Sequence, residues 1–190
     1  MKSVSIIIVV FMLAISQNLN AQSFDFRNTK WGMDTIQVKK SETARFIYSN
    51  SNSLNYSGKL SNLDTKIIYD FTSSNQLYQT FYLITLNSKN PSIFVDNFLR
   101  LQELLTEKYY QPFSRSAFTI NGRNITQDEW ASNLISDNLN LETRWKTART
   151  DIILSLYTPN DELTLEIRYI SHEFNKKASD EIKINLLKDL

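Results

Sequence analysis

NPSIFVDNFLRLQELLTEKYYQP, residues 90–112, carries every local mark of a single long helix. Asn90 is a good N-cap, and Pro91 sits at the first helical position, where a missing N–H costs nothing. Phe94, Phe98, Leu101, Leu105 and Tyr109 recur at spacings of three and four, one apolar stripe along the rod. Lys108 falls in the last turn, favourable at the negative end of the helix dipole, and Pro112 ends the run. About twenty residues at ~1.5 Å each give a rod of roughly 30 Å, enough to lie across a sheet.

On the N-terminal side of this helix the period changes from helical to alternating. Leu54, Tyr56, Gly58 and Leu60 alternate with polar residues and predict a strand after the polar loop SNSNS at 49–53. In Lys66–Thr72, Ile67, Tyr69 and Phe71 share one face, with Ile68 and Asp70 on the other. Leu77–Leu86 is apolar on both faces, as expected of a central strand under a helix. On the C-terminal side, a strand is expected around Phe118 and Ile120, ending at the turn dipeptide Asn121-Gly122. Thr126-x-x-Glu129 is a capping box opening a helix with Trp130, Leu134 and Ile135. Three strands follow, at 139–147, 152–158 and 162–170, the last two joined by Pro159-Asn160-Asp161. Leu163, Leu165, Ile167 and Tyr169 face one way, and Glu162, Thr164, Glu166 and Arg168 the other, the pattern of a sheet with one wet face.

Upstream, Asp34 with Gln37 forms another capping box, with Met33 and Val38 placed as a hydrophobic staple. Gly32 frees the backbone to turn into this short helix, and Trp31 reads as its packed anchor. The order predicts an α+β domain: antiparallel β-meanders packed against a long central helix and shorter helices. It hints at two α-βββ halves, although no residue-by-residue repeat supports a duplication. The first 21 residues stand apart. Lys2, the 12-residue apolar run Val4–Ile15 and a small residue at Ala21 describe a secretory signal peptide, too short to span a bilayer. The expected organisation is therefore 1–21 leader, 22–173 one α+β domain and 174–190 a C-terminal helix or tail. Within that tail, Ile182, Leu186 and Leu190 are in helical register, widened by Leu187.

The residues Phe26-Arg27, Trp31-Gly32-Met33, Lys108-Tyr109-Tyr110-Gln111-Pro112, Trp145 and the 152–170 meander resemble a loose group of uncharacterised exported, Bacteroidetes-like bacterial proteins. These open their mature chains with Phe-Arg, a spacer and Trp-Gly-Met. The resemblance implies an export-linked α+β domain and carries no catalytic residues across. Tyr110 stands where the group usually has Gly, which weighs against a left-handed helix stop at that position.

Composition excludes more chemistry than it suggests. Losing Lys2 with the leader takes the 21 cations to 20, against 20 acids, so no basic footprint for nucleic acid remains. No Cys is present to build a disulfide framework or a thiolate metal site, and a single His, His172, predicts neither metal nor cofactor. His172 reads as a surface residue at a strand end. Three glycines are too few for a phosphate-cradling loop, and no nucleophile motif occurs. Among the carboxylates, Asp70 with Glu142 or Glu166 are the pairs a two-carboxylate hydrolase would need. What stands out is aromatic: Tyr78, Tyr82, Trp145 and Tyr157 are the candidate binding residues, a platform for sugar or peptide if they share an outward face. The expectation is an exported, periplasmic or extracellular, non-enzymatic binding module for a protein or glycan partner, with no catalytic residues. The alternatives are a small secreted hydrolase using paired carboxylates, or a structural envelope protein.

Overall fold

The structure, a computed structural model, describes residues 24–119, 121–123, 125–136 and 139–188. The expected leader, residues 1–21, lies outside them, as do Ile120 and Leu190. In chain order the elements are α1 (Thr35–Ser41), β1 (Arg45–Ser49), β2 (Ser53–Leu60), β3 (Leu63–Phe71), β4 (Leu77–Thr85) and α2 (Pro91–Tyr109). There follow β5 (Ser114–Phe118), a 3-10 turn (Gln127–Glu129) running into α3 (Trp130–Ser136), β6 (Asn140–Lys146), β7 (Thr150–Tyr157), a 3-10 turn (Pro159–Asp161), β8 (Thr164–Ser171) and α4 (His172–Lys188).

All the strands join one eight-stranded sheet in the order β1-β2-β3-β4-β8-β7-β6-β5. Every neighbouring pair is antiparallel, so the sheet is two four-stranded meanders joined where β4 pairs β8. The α+β class holds, with one large sheet. Each half has four strands rather than three. The extra strand of the first half, β1, has every residue exposed, so it carries no buried alternation to read. Its register slips between Phe46 and Tyr48, a bulge that disrupts an edge otherwise open to pairing. Nor do the short helices repeat: α1 precedes the first meander, whereas α3 interrupts the second between β5 and β6.

Strand alternation separates two faces. One carries Tyr56, Ile67, Tyr82, Ile167, Leu154 and Thr143 in a single cross-strand row. All six are buried. The opposite row of Ile68, Phe81, Arg168 and Ile153 is half-buried. Helix α2 lies across β6 and β7 on the covered face. Its buried residues are Phe94, Val95, Phe98, Leu101 and Leu105, the stripe the sequence predicts. The start of α2 is as expected, with Asn90 Oδ1 accepting from Ser92 N at 3.0 Å. At its end Tyr110 stands at φ 65°, ψ −159°, a positive-φ conformation outside the left-handed helical region, so the glycine-type left-handed stop does not form. At the start of α1, Asp34 and Gln37 exchange hydrogen bonds of 2.8 and 2.9 Å.

Helix α4 begins directly after β8, at His172, two residues before the C-terminal segment 174–190 expected from the sequence. It packs beside β8 and β4, and Glu181 holds the β3–β4 turn through Ser73 and Ser74. Ala178 is buried, while Ile182 and Leu186 are exposed. Among the described residues no helix is long and apolar enough to cross a membrane.

Candidate functional site

Helix α2 makes its sheet contacts on β6 and β7 rather than on the first half. The covered face of the first half is met by α1, which buries Val38, and by the segment from Phe24 to Met33, which must satisfy its own backbone polar groups to lie there. Phe26 and Thr29 close a tight turn through Thr29 N to Phe26 O at 2.8 Å. Phe26 then fits between three sheet tyrosines, with ring centroids 5.6 Å from Tyr69 and 5.0 Å from both Tyr82 and Tyr169. Trp31 is buried, and its indole N–H donates to Thr150 Oγ1 at 2.8 Å, tying the segment to β7. Gly32 N donates to Leu77 O, and Leu77 N to Met33 O, which pins the segment to the start of β4. Gly32 sits at φ 81°, where a side chain is strained, and a Cβ there would also push the Phe174 ring aside.

Inside that tight turn, Arg27 is held at φ 47°, a left-handed conformation uncommon for a side chain of its size. Its guanidinium grips Glu42 bidentately, Nε to Oε2 at 2.8 Å and Nη2 to Oε1 at 3.0 Å. Nη1 reaches the Tyr82 hydroxyl at 3.4 Å. The Glu42 side chain is 1% exposed and that of Arg27 24% exposed. The Tyr69 hydroxyl and Ala44 N also donate to Glu42. Burial alone would raise the Glu42 pKa, but the hydrogen bonds from Arg27, Tyr69 and Ala44 N together bring it below the ordinary glutamate value. Burial first, and then the bond to Glu42, push the Tyr69 hydroxyl well above the usual tyrosine range. Burial likewise raises Tyr82, partly opposed by the Arg27 hydrogen bond.

Between this segment, the C-terminal end of α2 and the β6–β7 turn lies a half-open cavity of about 480 Å3. Its floor is Tyr82, Ile152 and Tyr169, and its walls include Phe24, Phe26, Arg27, Lys108, Tyr109 and Arg149. The Tyr109 ring meets that of Tyr169 edge-on at 6.4 Å, and Lys108 Nζ lies 5.0 Å from the centre of the Tyr109 ring. Arg149 pairs with Asp25 at 3.2 Å, and Asp25 also accepts from Trp31 N at 2.9 Å. The volume falls within the range of small-molecule sites, and the walls combine rings with a few polar groups.

The four aromatic candidates do not form one platform. Tyr82 lines this cavity, but Trp145 is 0% exposed in the core of β6. Tyr78 and Tyr157 are half-buried; Tyr157 belongs to the uncovered face. The candidate carboxylates lie there too. Glu142 and Glu166 flank Ser155 in one row and share a cavity of about 310 Å3. Each is ion-paired with the arginine two residues on, Arg144 at 2.6 Å and Arg168 at 2.7 Å. Asp70 accepts from Gln79 at 3.3 Å, and burial raises its pKa despite that bond. His172 opens α4 and contacts Asp151 at 3.0 Å. Among the described residues no cluster of three His, Asp or Glu side chains is placed to hold a metal ion.

Arg27, Glu42, Lys108, Tyr109 and Arg149 are the site residues that sequence reading did not nominate as such. Arg27 and Glu42 are 15 residues apart and Tyr82 is 55 from Arg27, so no local spacing announces the network. The one available signal was Tyr110, a bulky residue at a forced helix stop directly after two cavity residues. No family model matches the chain, and no curated protein or solved structure matches it either.

Proposed function

We propose that this is an exported, non-enzymatic binding module that takes a small ligand in the cavity beside Tyr82, Lys108 and Tyr109. The observation that carries the reading is the cavity itself, an aromatic-walled pocket at the seam of the two meanders, bordered by cations. Two residues at or beside it, Arg27 and Tyr110, hold conformations that side chains avoid. Such strain persists where the surrounding structure over-determines it, and it concentrates at ligand clamps. Export rests on the leader pattern in the sequence.

The two-carboxylate hydrolase has one observation in its favour, the shared cavity of Glu142 and Glu166. Their strands are two apart, which sets their backbones roughly 10 Å from each other, near the upper end for an inverting pair. Yet each carboxylate already grips an arginine, which occupies the oxygens that a water or a glycosidic oxygen would need. Binding is the better-supported reading.

Two measurements test it. The full chain expressed in a bacterial host is fractionated, and the mass of the exported protein is read; the expected mature chain begins at Gln22. That product is then screened by thermal shift and amide NMR against small sugars and organic acids. Perturbations centred on Tyr82, Tyr109 and Lys108 are expected. A panel that shifts none of them, or a product retained in the cytoplasm with its leader, ends the proposal.

A further inference from the structure

The charges around the cavity do not cancel. Arg27 commits three of its five N–H donors, with Nε and Nη2 on Glu42 and Nη1 on Tyr82. Its charge is matched by a carboxylate behind the wall, so it positions the turn and the Tyr82 ring and offers little to a ligand. Arg149 is matched by Asp25 through one Nη, but its side chain is 54% exposed, leaving further N–H donors for a visitor. Lys108 differs from both. Among the described residues no carboxylate lies within ion-pair distance of it, and its Nζ sits over the Tyr109 ring. One positive charge is therefore left over, at the mouth of a pocket walled by flat rings.

Resting on the binding reading above, we infer that the ligand is a small monoanion: a carboxylate on a flat or pyranose ring. The carboxylate meets Lys108 Nζ with Arg149 as second donor, and the ring lies against Tyr109 and Phe24. The chemistry is complementary at each point. A carboxylate accepts charge-assisted hydrogen bonds from ammonium and guanidinium groups. An aromatic face stacks equally on an aryl ring or on the apolar face of a sugar. The volume suits one ring and its substituent rather than a polymer.

The test uses the mature protein and four probes in two matched pairs: glucuronate with glucose, and phenylacetate with 2-phenylethanol. Affinity is read by amide NMR titration. The acid of at least one pair is expected to bind about tenfold or more tightly than its neutral partner, the worth of one charge-assisted hydrogen bond. The pair that responds tells a sugar acid from an aromatic acid. Lys108→Met should erase that advantage with no change in melting temperature, because the side chain is exposed. Lys89→Met, beside a different cavity, should leave it intact. If neutral and acidic partners bind the cavity equally, the charge inference falls while the binding reading stands. If no probe perturbs the cavity, the binding reading falls with it. An acid preference that survives Lys108→Met overturns the assignment of the charge to this lysine.

Discussion

The two halves of the sheet solve the same problem with different chemistry. In the β5–β8 half the covered face is mainly aliphatic, with Leu141, Ile152, Leu154, Leu156, Leu165 and Ile167 around Trp145 and Thr143, and α2 packs over β6 and β7. In the β1–β4 half it is aromatic and hydroxylated. There Tyr69 and Tyr82 lie against Phe26, with hydroxyls meeting Glu42 and Arg27, and the Tyr56 ring packs edge-on to Tyr69. An amphipathic helix satisfies its own backbone, so it can seal a dry apolar face alone. A short irregular segment cannot, and it needs donors and acceptors from below. The second solution leaves a polar seam where the covers meet, and the cavity opens there. The difference teaches that the site follows from the way the first half is covered.

The dry half should therefore respond to lost volume and the polar half to lost charge pairing. Leu154→Ala removes fully buried methyl groups beneath α2 and should cost about 3–5 kcal/mol in urea unfolding. It should be nearly independent of pH, since no ionisable group is involved. A loss below about 1 kcal/mol would mean that the α2 interface is not the dry core described.

Glu42→Gln is the matching change in the polar half. It strands the Arg27 guanidinium and should cost about 2–3 kcal/mol, less than a fully buried pair because Arg27 is partly exposed. Its signature is in pH. The Glu42 pKa is lowered in the fold, so its ionised form stabilises the protein above the ordinary glutamate value of 4.5, and that stability drains away as pH falls below it. The wild type should lose this contribution on acidification and the Gln variant should not. Asp70, on the uncovered face, works in the opposite sense, because its pKa is raised by burial and its ionisation costs the fold. Two parallel pH–stability curves would break the contrast between the halves.

Much of this contrast was not legible in the sequence. Helix starts were, because a capping box or an Asn-Pro start is complete within four residues, as at Asp34 and Asn90. The apolar stripe of α2 and the alternation in β3, β7 and β8 were legible for the same reason. What escaped required distant partners. The β4–β8 pairing that makes one sheet from two meanders joins Gln79 to Ile170, and neither strand encodes its neighbour. Aromatic residues were read as potential surface because alternation gives a face without saying which face is covered. So Trp145, nominated as a binder, sits at the centre of the core, while Phe26 and Tyr109, not nominated, line the cavity.

A smaller effect tests the polar half at its edge. Asp34 caps α1 with a 2.8 Å bond to Gln37 N, and α1 places Glu42 one residue past its end. Asp34→Ala should cost about 1 kcal/mol. If α1 is the scaffold for the Arg27–Glu42 pair, the same change should weaken that pair and shift the acid limb of the stability curve. A pure stability loss with an unchanged acid limb would make α1 a bystander.

The smallest effect concerns the border between the halves. Tyr110 ends α2 at φ 65°, ψ −159°, a region essentially restricted to glycine, and it is 83% exposed, so its side chain earns no packing in return. Tyr110→Gly should stabilise the protein by about 0.5–1 kcal/mol; relief of strain exceeds the entropy that glycine adds to the unfolded chain. Stability alone would make the tyrosine an unexplained cost. The position of the strain suggests a use: Tyr110 follows directly on Lys108 and Tyr109, which line the cavity from the last turn of α2. With glycine, the last turn gains conformational freedom, and any acid bound at Lys108 should bind more weakly even as the melting temperature rises. Stability and affinity moving in opposite directions would identify the strain as preorganisation of the site. If both rise together, the stop is a flaw in α2 that the aliphatic half simply tolerates.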